Sequence, residues 1–146
     1  MADKSLIGRS LGVSTSEVEK GRLRFFAKAI GETDPVYTDE AAALAAGYPS
    51  LPVPPTFLLC LENEGRNPPA IIEDIFGFDL GRILHAEQSF TYHRMAFAGD
   101  LLTFDTHVAD VYDKKGGALQ FIVQECRVTN QRGEHIADFR FSLAQR

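Results

Sequence analysis

From Glu19 to Ile30 the apolar residues Leu23, Phe26, Ala27 and Ile30 recur at helical spacing, while Lys20, Arg24 and Lys28 share the other face. That pattern predicts an amphipathic helix laid over a core, and it gives Phe25 and Phe26 a packing role rather than a cofactor one. Asp39 to Ala46 contains five alanines and one leucine, a composition of high helix propensity that can pack close to its neighbours. Gly47 ends it. Leu51 to Pro55 holds three prolines and must be extended. The following segment, Thr56 to Glu64, is apolar on most sides through Phe57, Leu58, Leu59, Cys60 and Leu61, which predicts a buried helix with Pro54 and Pro55 suited to its start.

Past Gly65 the pattern loosens, with one or two helical turns predicted in Ile71 to Phe78, and then the period changes. Ile83 to His93, Leu101 to Tyr112, Leu119 to Asn130 and His135 to Leu143 are rich in Phe, Val, Thr and Leu. Turn signals separate them at Ala98-Gly99-Asp100, Lys115-Gly116-Gly117 and Asn130 to Gly133. In the last segment Ala137, Phe139, Phe141 and Leu143 alternate with Asp138, Arg140 and Ser142, so one face is buried. A short strand is also predicted at Val13 to Val18. Helices followed by four consecutive strands joined by tight turns give an α+β fold, with an antiparallel sheet packed on a buried helix.

The length of 146 residues suits one domain spanning 1–146. With 45% hydrophobic and 24% charged residues the chain matches ordinary globular proteins, which excludes an intrinsically disordered segment as the main reading. No apolar run approaches the length of a membrane span, and Met1 to Leu6 lacks a signal-peptide core, so a cytoplasmic protein is expected. A net charge of −5 argues against a broad nucleic-acid footprint but leaves room for a local patch that binds an anionic ligand. Cys60 and Cys126 stand far apart with no metal-ligand spacing, and are expected to be small buried hydrophobes. No metal triad, activated nucleophile or phosphate-cradling glycine loop is evident.

Candidate chemistry sits between the first two helices. Gly31 can end the first in the left-handed conformation, Pro35 bars Asp34 from helical backbone, and Thr38, Asp39 and Glu40 cap and charge the second. That leaves the polar loop Glu32 to Tyr37. Its sequence, Gly-Glu-Thr-Asp-Pro-Val-Tyr-Thr-Asp from Gly31, resembles the hydratase motif of MaoC-like dehydratases, Gly-Asp-x-Asn-Pro-x-His-x-Asp. Gly31, Pro35 and Asp39 match, whereas the catalytic Asp falls on Glu32, the Asn on Asp34 and the catalytic His on Tyr37. It is more similar to the non-catalytic half of that family, the MaoC N-terminal or FAS1-like dehydratase domain. The Pro-Pro-Thr-Phe of Pro54 to Phe57, the stretch from His85 to Arg94 and Ala98-Gly-Asp-Leu101 resemble it too, with Met95 where the family often has Pro.

The resemblance implies a hot-dog fold, in which a sheet wraps the Thr56 to Glu64 helix, and an (R)-specific enoyl-thioester hydratase or 3-hydroxyacyl-thioester dehydratase activity that calls for no cofactor. It implies that Asp34, Pro55, Thr56 and Phe57 border the substrate, an acyl-CoA or acyl-carrier-protein thioester, with the N–H of Thr56 or Phe57 polarising the thioester carbonyl. Glu32 and Tyr37 take the catalytic positions in altered form, since a phenol near pKa 10 cannot shuttle protons at neutral pH as an imidazole near 6.5 can. The first expectation is therefore a substrate-binding chain that pairs with a catalytic MaoC-like chain. A second is an active homodimeric hydratase using Glu32 with Tyr37 or His85, and a third is an acyl-thioester-binding module without turnover. His85, Glu87 and His93 are expected on one face of one strand by the two-residue period, while His107 and His135 lie beside turns and are expected in solvent.

Overall fold

In the computed structural model, which describes residues 1–146, five strands form one antiparallel sheet. They are β1 (Ser10–Glu17), β2 (Ile83–Tyr92), β3 (Leu101–Lys114), β4 (Leu119–Thr129) and β5 (His135–Gln145), in the order β1-β3-β4-β5-β2. The long strands after residue 83 fall within about two residues of their sequence-predicted bounds: β3, β4 and β5 follow one another through short turns, whereas β2 pairs with β5 and not with the next strand in sequence. Strand β1 starts earlier than expected, at Ser10 rather than Val13, since Ser10 pairs with His107 across a bulge.

Helix α1 (Lys20–Ala29) buries Leu23 and Ala27 completely and Phe26 in part. Ile30, expected on that buried face, is instead 53% exposed, because the helix stops at Ala29 and Gly31 turns the chain with φ +72°. Helix α2 (Glu40–Ala45) begins where Asp39 accepts the Ala41 N–H at 2.9 Å. Helix α3 (Leu58–Glu64) lies under the sheet. It begins two residues later than the sequence predicts, since the Phe57 N–H donates to the Pro54 carbonyl at 2.9 Å and closes a turn ahead of the first helical residue. Between α3 and β2 come a helical turn at Pro68–Ala70, a π-type turn at Ile71–Ile75 and a 3-10 turn at Leu80–Arg82.

Leu58 and Leu61 of α3 are fully buried, and they pack with Leu102, Phe104, Val128, Ile136 and Phe139 from the inner sheet face. A helix of seven residues is marginal by itself, so this apolar contact holds it. At its far end α3 runs against β1, where the inward side chains are the small Ser14 and Ser16. A Cβ on Gly65 would stand 2.6 Å from the Ser14 Cβ, so only glycine permits this approach. The Ser16 hydroxyl donates to Glu64 at 3.1 Å across the same contact.

A small polar cluster lies in the core. Glu62 is fully buried, and it pairs with Arg66 one turn later, whose side chain is 8% exposed. The Thr106 hydroxyl of β3 donates to the same carboxylate oxygen at 2.9 Å. Burial pushes the Arg66 pKa down by disfavouring its charged form. An ion pair so placed adds little net stability when intact, but removal of one partner strands a buried charge.

Urea unfolding should show Leu58→Ala costing about 2–5 kcal/mol, Leu58→Asp giving no cooperative transition, and Lys28→Ala lying within about 0.5 kcal/mol of the parent. Gly65→Ala should destabilise although its helix propensity improves. Rapid hydrogen exchange from Leu58 to Leu61 in the unaltered protein would contradict this picture of the core.

Candidate active site

Three segments meet at the start of α3. The first is the proline-rich stretch from Leu51, held extended by the backbone of the β2–β3 connection: the Val53 N–H donates to the Ala96 carbonyl at 2.9 Å and the Ala98 N–H to the Leu51 carbonyl at 2.8 Å. Asp100 fixes that connection. Its buried carboxylate accepts the Phe97 N–H at 2.9 Å and the Gln131 amide at 3.0 Å, and Phe97 in turn packs on Tyr48 with ring centres 5.8 Å apart. The second segment is the last residue of β2, Tyr92, whose hydroxyl donates to the Pro55 carbonyl at 2.5 Å. The third is the loop from Gly31 to Tyr37.

Within the loop both carboxylates bind their own backbone. Glu32 Oε1 accepts the N–H groups of Thr33 and Asp34, each at 2.9 Å. Asp34 accepts the Val36 N–H at 3.1 Å and so caps the short 3-10 turn Pro35–Tyr37. Tyr37 is partly buried over the loop. Its phenol pKa is pushed up, first by burial and then by the negative charges of Glu32 and Asp34. Tyr92 is shifted upward in the same way, by burial and then by the charge Tyr37 would carry if ionised. Both phenols are therefore donors and not bases at neutral pH.

Of the two backbone groups expected to meet a carbonyl, Phe57 is committed, since its N–H bonds to Pro54 and its ring lies 4.6 Å from Phe26 in the core. Thr56 is exposed, and its N–H donates to no acceptor in the chain. Pro55 is exposed with its carbonyl held by Tyr92. The structure thus brings Glu32, Asp34 and Tyr37 together in the loop, and Pro55 and Thr56 together at the head of α3. Tyr92 was not marked out by the sequence. The signal was the inward alternation Gln88, Phe90, Tyr92 along β2, which placed a hydroxyl at the strand end nearest α3.

His85 does not join them. It lies seven residues from Tyr92 along β2, roughly 23 Å at strand spacing, and its Nε2 is 3.1 Å from the Glu87 carbonyl. The expectation that His85, Glu87 and His93 share a face is corrected by a bulge between His85 and Glu87, which inserts one residue and reverses the alternation beyond it. His85 therefore borders an inner cleft beside Phe141, with ring centres 6.0 Å apart, while His93 faces outward and bonds Asp138 at 2.9 Å.

His135 also bonds Asp138 at 2.9 Å and is partly buried, not free in solvent. His107 is exposed as expected but lies within β3, 3.7 Å from Glu125. Burial opposes ionisation of Asp138, yet the hydrogen bonds from His93 and His135 outweigh it and hold its carboxyl below the usual range. The ligand atoms of His93, His135 and Asp138 all lie within 4.8 Å of one another, the one grouping with the donor set for a metal ion.

The inner cleft, of about 190 Å³, runs along α3 under Ile71, Ile72 and Phe76, with Phe141 and Leu143 as its opposite wall. Three hollows are larger: two, near 360 and 380 Å³, lie on the outer sheet face among polar side chains such as Ser89, Arg140 and Glu125, and a third, near 330 Å³, lies between α1 and the head of α3 against Phe25, Phe26, Phe57 and Cys60.

The family model for the FAS1-like, dehydratase domain region matches residues 5–139. The chain belongs to that family. It is 36% identical over 146 residues to a UPF0336 protein of Saccharopolyspora erythraea, an alignment covering 99% of this chain and 91% of the relative. The fold is the hot-dog fold of MaoC-like dehydratases. It resembles the C-terminally truncated HadBC (3R-hydroxyacyl-ACP dehydratase) complex of Mycobacterium tuberculosis with a TM-score of 0.74 at 24% identity, covering 93% of this chain and 96% of that one. It resembles the ChsH1–ChsH2 complex of the same organism with a TM-score of 0.72 at 24% identity, covering 93% and 83%. No helix is long and apolar enough to cross a membrane.

The two cysteines part company. Cys126 is 1% exposed and burial pushes its thiol up to about 12, whereas Cys60 is only half-buried, beside Phe57, and is raised mainly by burial. Cys126 should therefore resist a thiol reagent at pH 8 until the protein unfolds, and react more slowly than Cys60. The unfolded chain ionises this thiol first, so its contribution to stability should be complete below the ordinary thiol pKa and decline as pH rises toward about 12.

Proposed function

We propose that this chain, as one domain, is the substrate-binding subunit of an (R)-specific enoyl-thioester hydratase or 3-hydroxyacyl-thioester dehydratase, with the acid–base dyad supplied by a second MaoC-like chain. The observation that carries the reading is the state of the loop. Glu32 and Tyr37 stand where the family motif has Asp and His, Glu32 is turned onto its own backbone, and Tyr37 is held as a phenol. Hydration adds a proton at Cα and hydroxyl at Cβ, so one group must deprotonate water while another moves the Cα proton. A phenol with a raised pKa donates but does not shuttle.

What remains fits binding. The free Thr56 N–H at the head of α3 is available to a thioester oxygen, Tyr92 rigidifies the neighbouring Pro55, and the cleft along α3 offers an apolar lining for an acyl chain. A partner has somewhere to sit. Strand β2 pairs only with β5, which leaves ten residues of open edge, and such an edge is normally covered. The two solved structures named above are both complexes, which supports a partner chain. The thioester can come from coenzyme A or from an acyl carrier protein.

The isolated protein should hydrate crotonyl-CoA about 10²- to 10⁴-fold more slowly than a catalytic relative, and Glu32→Asp with Tyr37→His should raise the rate. Brisk turnover by the unaltered chain, unchanged by Glu32→Gln and Tyr37→Phe, would overturn the reading. In light scattering the isolated chain should run at twice its mass, and a monomer at micromolar concentration would count against the edge-pairing argument.

A further inference from the structure

The cleft along α3 ends in polar groups and not in hydrocarbon. Leu59, Asn63 and Arg66 line it at spacings of four and three residues, so it follows one face of α3 away from Thr56. Its apolar walls are Ile72, Phe141 and Leu143, yet Arg66 and Gln124 also border it. Both are at least nine-tenths buried: Gln124 is 3% exposed and the Arg66 side chain 8%. Arg66 Nη1 is taken by Glu62 Oε1, whereas Arg66 Nε and Glu62 Oε2 are both buried without a partner. A buried guanidinium N–H left unpaired is unfavourable and uncommon. Arg66 and Gln124 border a cleft of about 190 Å³, room for roughly six groups of water or methylene size.

We propose that this cleft selects acyl chains that carry a neutral oxygen, a hydroxyl or keto group, at the end remote from the thioester, with Arg66 and Gln124 as its specificity-determining residues. The proposal rests on the thioester-binding reading only for what delivers the chain to the cleft. Arg66 donates to the oxygen, and the Gln124 amide offers both a donor and an acceptor, which suits a hydroxyl. A carboxylate fits less well, because Glu62 already balances Arg66 and a second anion would face that carboxylate. From Thr56 to Arg66 is ten residues, roughly 15 Å at helical rise, so the oxygen belongs to a medium or long chain and not to a short one.

The test uses free amides that fill the cleft without a thioester. Hexanamide, 6-hydroxyhexanamide and adipic acid monoamide are titrated into the purified protein, followed by proton–nitrogen spectra of the Arg66 Nε–H and the Gln124 side-chain amide. The hydroxy amide should bind about tenfold tighter than hexanamide or more, and should shift both signals. The Gln124→Leu variant, and the Glu62→Leu with Arg66→Met pair that leaves no charge stranded, should bring the two ligands to similar affinity. Should the double variant fail to fold, Gln124→Leu alone decides. Equal affinity in the unaltered protein, tighter binding of the carboxylate, or a hydroxyl preference that survives Gln124→Leu would overturn the proposal. Decanoyl-CoA separates the two readings: a hydroxyl preference without decanoyl-CoA binding removes the thioester reading and keeps this one, while decanoyl-CoA binding with no hydroxyl preference does the reverse.

Discussion

Everything in this protein is arranged to keep a seven-residue helix out of water. Helix α3 buries Leu58 and Leu61 completely, and no helix of that length persists alone. The sheet has to curve around it. The small side chains of Ser14 and Ser16, and the missing side chain of Gly65, let its last turn press against β1. The same enclosure forces Glu62 into the core, where Arg66 and Thr106 both bond its Oε1 and Oε2 is left without a partner. The polar end of the cleft is thus a by-product of how closely the sheet wraps the helix.

The candidate site follows from where α3 begins. Proline residues hold the chain extended up to Pro55, the Phe97–Asp100 connection clamps that stretch, and Tyr92 fixes the Pro55 carbonyl. What results is a rigid platform with one free N–H, at Thr56. The loop beside it is capped by Asp34 and turned by the left-handed Gly31, and its sequence resembles the hydratase motif of MaoC-like dehydratases. Its side chains lack the family's proton-shuttling pair. Position and chemistry have come apart, and this is why binding to a thioester and turnover of it are separate questions for this chain.

Much of the fold was legible because it rests on local rules. The alternation Ala137, Phe139, Phe141, Leu143, the paired turns and the three prolines before α3 each dictate backbone without reference to distant partners. What escaped depends on pairing. A bulge at Ala86 cannot be seen in a two-residue period, yet it sends His85 inward and His93 outward. His93, His135 and Asp138 become neighbours only when β2 lies on β5, with Thr91 opposite Asp138. Glu62 and Arg66 have the spacing of an ordinary surface ion pair, and only the enclosing sheet makes them a buried one. Tyr92 gained its role the same way, by reaching a carbonyl 37 residues away in sequence.

The claim that joins these observations is that an acyl thioester meets the Thr56 N–H and lays its chain along α3 without being turned over. A titration of the isolated protein with decanoyl-CoA, followed by backbone amide spectra, tests it most directly. The account predicts that the largest shifts fall on Thr56, on Leu59 and on the cleft residues Ile72 and Phe141. Saturable binding that leaves Thr56 and the cleft unperturbed, with its shifts confined to the outer face of the sheet, would contradict it.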